Sequence, residues 1–449
     1  MNSKKLIIFG VVSFGVFLIP NEVIWAQQTF EKLPEIQVPK PATIGQPSLM
    51  SITGVPNSSL TPTPIRSEPL AVWQEEQVRI ARQQAYMQEL FRELPSTGRS
   101  YEFPNKDHLP GAQAYFEAYE ELRAMLDGET PLDLMKAIFA VENAYFNNQG
   151  RFEDFDNKIK ELAELTSAYI TQQGWDQNNP MPPLLALHHL FADTLTIEQP
   201  GLEEAIVHYP ITYDFEDYRG REDLSNLFVS KVLATGTGQC YSMPQLYLLL
   251  AQELGGEAWL SFSPNHSFIK FKDEYNQWYN LELTNGNVVS ESWMMASGYM
   301  TIESIQNDIY LDTLSLKETI ATKMVDLALG FGNKYGYDDF VLQAVNKGLE
   351  HHPENVPGMI TKANYYTDLV WYVADQMNNP TNEEYVADPY ARSILVMRER
   401  MYSLIDHSGY RPMPDEVYEE WLTSIEEYRA KQAEQSNTIN SSRPQNKEP

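Results

Sequence analysis

Cysteine is almost absent: Cys240 stands alone in 449 residues, which excludes an intramolecular disulfide. A lone thiol is either a small buried hydrophobe or a group kept for its chemistry. Basic charge is also scarce, with 33 Lys and Arg against 62 Asp and Glu and a formal net charge of −29. Nucleic-acid binders need a basic face to displace counterions, so neither nucleic acid nor an anionic lipid surface is an expected partner. The acid excess reads as a solvated, self-repelling surface. No cofactor or metal motif is present. Gly330-Phe331-Gly332 lacks the lysine and hydroxyl that close a phosphate loop. His188-His189 and His351-His352 are adjacent on predicted helices, so their side chains diverge by about 100° and cannot clamp a metal as an i, i+4 pair would. They read as surface or cap histidines.

Long apolar runs are equally rare. Lys4 and Lys5 precede an apolar stretch from Leu6 to Ile19, which is shorter than the roughly 20 residues of a spanning helix. With Ile24-Trp25-Ala26 offering a cleavage site, residues 1–26 read as a signal peptide and the mature chain would begin near Gln27. No cysteine lies there to carry a lipid. The expected product is exported, periplasmic or extracellular, with no stable membrane insertion after cleavage.

Residues 27–70 are rich in Pro, Ser and Thr and read as a disordered linker. Helical periodicity begins near Ala71 and marks 71–210 as a helical region, with helices expected over Gly111 to Leu126, Pro131 to Asn147, Phe152 to Gln173 and Pro182 to Thr194. The texture changes over 211–314. A helix from about Cys240 to Leu254 and the pair Gly255-Gly256 lead into three β-like runs, Ala258 to Ser263, His266 to Lys272 and Gln277 to Thr284. The tetrad from Asp273 to Asn276 suits a hairpin. Residues 315–435 return to helices, and the stretch around Ala344 to Asn355 resembles a junction between two tetratricopeptide repeats, although no clean 34-residue period appears. Residues 436–449 read as a disordered tail. The expected class is α+β, a helix packed on a small antiparallel sheet and flanked by mainly α-helical regions.

Chemistry concentrates around Gly236-Thr237-Gly238-Gln239-Cys240-Tyr241-Ser242-Met243-Pro244. The apolar spacing of Leu246, Leu249, Leu250 and Leu254 places the thiol at a helix N-terminus, where unpaired amides and the dipole favour thiolate. Pro244 is expected to be tolerated because the first turn needs no amide donor. The Cys240 amide is the first candidate oxyanion donor, with Gln239 and Tyr241 as candidate accessory residues. Gly236 and Gly238 are expected to leave room for a substrate backbone. His266 opens the second β run and Glu282 lies in the third. A hairpin centred on Glu274 would make them cross-strand neighbours, close enough for a carboxylate to orient an imidazole. Asn280, two residues away on the same face, is the alternative third member.

Gly-Gln-Cys followed by an aromatic, then a strand histidine, then Trp278 with an acidic residue four positions later, resembles the core of the transglutaminase-like superfamily, which has a papain-like thiol fold. Tyr213-Asp214-Phe215, Phe228 to Leu233, Cys240 to Pro244 and Trp278 to Thr284 are similar to a bacterial branch with helical or tetratricopeptide-like tails. The likeness covers roughly Tyr213 to Ser315. It implies Cys240 as nucleophile, His266 as base and Glu282 at a position usually held by aspartate. It also implies acyl transfer or hydrolysis at an amide of a protein, peptide or cell-wall peptide. The alternative is a non-catalytic scaffold or binding protein that holds a protein or cell-wall partner through its helical flanks. An open groove at Cys240 is expected of the enzyme, and a thiol closed under Trp or Tyr of the scaffold.

Overall fold

The computed structural model describes residues 101–427, apart from 177–178, 199–203, 298, 421 and 425. The described residues belong to one unit. The expected signal peptide, linker, first helix and C-terminal tail lie outside the described residues.

Four helices come first: α1 (Ala112–Leu126), α2 (Leu134–Tyr145), α3 (Phe152–Gln173) and α4 (Met181–Ala192). Local chemistry sets several of their ends. The Asp133 carboxylate accepts the Lys136 amide at 3.0 Å to start α2, and Gly174 in the left-handed region closes α3. Along α1, Tyr115, Ala118, Tyr119, Leu122 and Met125 recur at helical spacing and are buried. The chain then forms β1 (Leu195–Ile197) with β2 (Ile206–His208), and β3 (Thr212–Tyr213). Next come α5 (Val229–Thr235) and β4 (Thr237–Gly238), which pairs parallel with β3. None of these short strands was expected from the sequence. Two or three residues are too few to establish an alternation.

The centre of the fold is α6 (Ser242–Glu253) packed on an antiparallel meander of β5 (Ala258–Ser263), β6 (His266–Lys272), β7 (Trp278–Glu282) and β8 (Asn287–Val289). The first three strands fall on the three expected runs. Strand β6 is buried along nearly its whole length because both faces are covered. Ile269 joins the main core with Met243, Leu246 and Leu260. Phe268, on the opposite face, joins a second cluster with Met294, Ile309, Ile360 and Met401.

After α7 (Glu291–Ser297) and α8 (Ile302–Gln306), the helices α9 (Leu316–Tyr335), α10 (Asp339–His351), α11 (Val356–Gln376), α12 (Asn382–Ala387) and α13 (Pro389–His407) follow in sequence. A capping box between Ser315 and Glu318 opens α9. Neighbours α9, α10 and α11 pack in turn, and α11 packs against α13. The chain beyond α13 is helical again over 415–420 and 422–424. It returns Met413, Tyr418 and Leu422 to the main core. That core therefore runs across residues 210 and 314, from Tyr115 through Met243 to Met324 and Tyr418. The architecture is mixed α+β, and no helix among the described residues is long and apolar enough to cross a membrane.

Candidate functional site

Cys240 stands at the start of α6, and the local bonds show how. The Met243 amide donates to Gln239 O at 3.0 Å, so the first helical bond begins at Gln239. Ser242 Oγ accepts the Gln239 amide at 2.9 Å, as the third helical residue does in half of a capping box. The amides of Cys240 and Tyr241 precede the first helical donor. Pro244 then lies just beyond the residues whose amides need no helical partner. It is tolerated within the first residues of the helix, as expected, although its missing N–H would have served the Cys240 carbonyl. Ser267 Oγ donates to that carbonyl instead, at 2.6 Å. The Cys240 backbone is thereby tied to the residue next to His266.

The glycines have a different purpose from the one expected. Gly236, at φ 69°, is the left-handed cap that ends α5. A Cβ on Gly238 would lie 2.8 Å from both Met243 Cγ and Val232 Cγ2, so this glycine admits protein rather than substrate. Neither lines the cavity described below.

His266 follows a two-residue turn, Pro264-Asn265, because Ser263 pairs directly with His266. Proline fixes φ near −65° at the first turn position, and Asn265 takes φ 57° at the second, as a type II turn requires. The β6–β7 register differs from the expected one. Ile269 pairs with Leu281 and Lys270 with Asn280, so the hairpin is centred on Tyr275, one residue beyond Glu274. Asn276, at φ 60°, supplies the extra turn residue. Continued along the strands, this register sets Phe268 opposite Glu282 and makes His266 its diagonal neighbour. The longer glutamate side chain spans the diagonal, and His266 Nε2 is bonded to Glu282 Oε2. Glu282 Oε1 accepts the Thr284 amide at 2.8 Å. Asn280 is turned elsewhere, its Nδ2 donating to Val289 O at 3.2 Å.

The Cys240 thiol also acts electrostatically on the imidazole. Burial would push the imidazolium's pKa down, but the Glu282 carboxylate and the thiol outweigh it and hold it up at about 10. Burial would raise the Glu282 carboxyl, yet the His266 charge and the Thr284 bonds leave it below the usual range. The two directions agree: at neutral pH the pair is an imidazolium and a carboxylate.

Cys240 is 9% exposed and His266 8%. Sγ lies 3.9 Å from Asn265 O, the acceptor of the neutral thiol's proton, and 3.5 Å from Tyr418 Oη. Burial, and then the neighbouring Cys240, push the Tyr418 hydroxyl well up, so it remains a donor. Tyr213 is raised by the same two causes. An aromatic hydroxyl thus covers the sulfur from one side, the arrangement expected of a closed thiol. Cys240, Asn265, His266, Ser267 and Tyr418 itself line a cavity of about 120 Å³.

Of the other sequence candidates, Gln239 is fully buried and does not line this cavity. Tyr241 directs its hydroxyl to Asp326 at 2.6 Å, and Lys323 donates to it at 3.1 Å. Its ring lines the cavity while its polar end anchors α6 to α9. Tyr418, Ser267 and Arg219 were missed. Tyr418 is 178 residues from Cys240 and carries no local motif. Ser267 could have been found only by asking what replaces the amide that Pro244 lacks. The adjacent histidines do not converge on an ion: His188 Nε2 bonds Gly286 O at 2.8 Å, while His189 meets Asp193. His352 is the C-cap residue of α10, one of the two readings offered for it, and is buried at the cavity wall. Among the described residues the ligand atoms of Asp127, Glu350 and His351 converge, but Lys347 and Arg123 already bond Asp127. Compared with known proteins, the chain matches no family model, no curated protein and no solved structure.

Proposed function

We propose that this chain is an exported cysteine-dependent enzyme with a papain/transglutaminase-like core that transfers or hydrolyses an acyl group held in an amide. The observation that carries the reading is the His266 imidazole, which is bonded to the buried Glu282 carboxylate, is influenced by the Cys240 thiol and lines one cavity with it. A thiol beside an imidazole that a third group orients is the arrangement nucleophilic catalysis needs. His266 holds the proton that Cys240 gives up, the thiolate attacks the carbonyl carbon, a C–S bond forms, and the oxyanion develops beside the Cys240 amide at the start of α6. The imidazolium gives its proton to the leaving nitrogen as the C–N bond breaks, which leaves a thioester. Water or an amine then attacks the thioester, giving its proton to His266, and the thiolate departs. Glu282 keeps the ring's orientation and stabilises its charge in each step.

Because Cys240 is the sole cysteine, alkylation of the whole chain by iodoacetamide reports on this sulfur alone. At pH 6 the wild type should react at least about tenfold faster than His266→Ala, with circular dichroism confirming that both are folded. Equal rates would leave a fold with a buried thiol and no ion pair, and the binding-protein alternative would replace the enzyme.

A further inference from the structure

The cavity beside the thiol ends in a wall of a different character. Ile309, Val356, Ile360 and Phe262 make its sides apolar, while Asp308, Asp312, Glu354 and His352 also line it. The wall is fixed by backbone. The stretch after α8 runs beside β5, with Leu311 N bonded to Phe262 O at 3.0 Å and Leu314 N to Leu260 O at 2.9 Å. Glu354 sits in the turn between α10 and α11.

Among the described residues, no lysine or arginine pairs with Asp308, Asp312 or Glu354. The charges that bear on them are acidic, their own and that of Glu318, while Arg219 and Arg221 on the same cavity are bonded to Asp415. Burial and then Asp312 push the Asp308 carboxyl up, and burial, Glu318, Asp308 and Asp312 do the same to Glu354. His352, 6% exposed, adds a donor. Its Nδ1 is 3.3 Å from Asn355 Nδ2 and 3.1 Å from Thr322 Oγ1. An amide NH2 can only donate, so Nδ1 is the acceptor and the ring proton lies on Nε2. Burial pushes this imidazole down to about 4, so the ring is neutral in ordinary conditions. Nε2–H has no partner among the described residues.

A metal ion does not fit this wall. Among the described residues only the Asp127, Glu350 and His351 atoms converge closely enough to share an ion. Spread carboxylates with one neutral N–H donor suit instead an organic cation that has several N–H groups and a nearby carbonyl. A volume of about 120 Å³ is below the roughly 300–1,000 Å³ of pockets that take drug-sized ligands, so it admits one side chain or a short arm.

We propose that Asp308, Asp312, Glu354 and His352 form a specificity subsite for a protonated amine on the amide substrate that Cys240 attacks, with His352 donating to a carbonyl beside that amine. The proposal rests on the acyl-transfer reading. It makes the enzyme selective for cationic peptides or amino-bearing amides.

The test uses the full chain and three chloroacetamides that share a leaving group and carry a propyl, a 3-ammoniopropyl or a 3-carboxypropyl arm. Cys240 should be alkylated about tenfold faster by the ammonium reagent than by the propyl one, and more slowly by the carboxylate. Substituting Asp308→Asn, Asp312→Asn and Glu354→Gln together should collapse the ratio to near unity. A control with the same charge change on exposed α3 residues, Glu153→Gln, Asp154→Asn and Glu161→Gln, should keep it, which separates a local wall from the bulk negative field. Protection from the propyl reagent by Nα-acetyl-lysine amide or by glycylglycinamide tells a side-chain ammonium from an amino terminus. Equal rates for the three reagents, or a preference that survives the triple substitution, overturns the subsite. A propyl rate that is the same in wild type and His266→Ala overturns the acyl-transfer reading instead.

Discussion

His266 is bonded to a buried carboxylate and feels the Cys240 thiol electrostatically, and burial makes both interactions sensitive to substitution. Glu282→Ala should lower alkylation of Cys240 steeply and Asn280→Ala hardly at all, since only Glu282 reaches the ring. The reverse order, measured at pH 6, would move the orienting role to Asn280. The same pair sets a pH dependence. His266 is raised from 6.5 to about 10, so its share of stability is complete below about 6.5 and is lost as pH rises through about 10. Glu282 is depressed below 4.5, so its share is present above that value and is lost as pH falls through the lowered value. Thermal melts of wild type and Glu282→Ala should therefore differ most between about pH 4.5 and 6.5, by about 3 kcal/mol, and converge toward pH 10. A difference that is flat with pH would mean the contact is not ionic. Cys240, His266 and Glu282 could be named from residue types and spacing, because a hairpin brings strand neighbours together whatever surrounds it. Tyr418 could not.

At the scale of elements, the junction of α6 with β6 depends on a carbonyl that its own helix cannot satisfy. Ser267→Ala should leave Cys240 O without its donor, cost about 1–2 kcal/mol and reduce thiol reactivity several-fold, and Ser267→Thr should restore both. If reactivity stays at the wild-type level while stability falls, the bond is structural only. The meander shows where sequence reading stops. Alternation and β-branched or aromatic residues marked the three strands, but the register turned on one left-handed residue, Asn276, which moved the hairpin centre by one position. The shift moves Glu282 from directly opposite His266 to diagonal. Glutamate bridges that separation, whereas the expected register would have suited a shorter aspartate.

Across the whole molecule, the site is assembled from parts far apart in the chain. Arg219 is bonded to Asp415 and stacks over the Tyr418 ring at 5.3 Å, so the segment bearing Tyr418 is held by charge as well as by core packing. Asp415→Ala should raise hydrogen exchange across 411–427 and leave α1 to α4 unaffected; a partly exposed ion pair of this kind is worth about 1 kcal/mol or less. Unchanged exchange would show that Met413, Tyr418 and Leu422 suffice as anchors. None of this closure was legible in the sequence. Amphipathic periodicity shows which face of a helix is buried but not which distant element buries it.

The solitary sulfur also bears on redox chemistry. A peroxide small enough to enter the cavity would convert Cys240 to a sulfenic acid, and no second thiol in the chain could condense with it. Recovery would depend on an external thiol slender enough to pass the same walls. Without one, a second peroxide would carry the sulfur on to the sulfinic acid, and the loss of the thiol would become permanent.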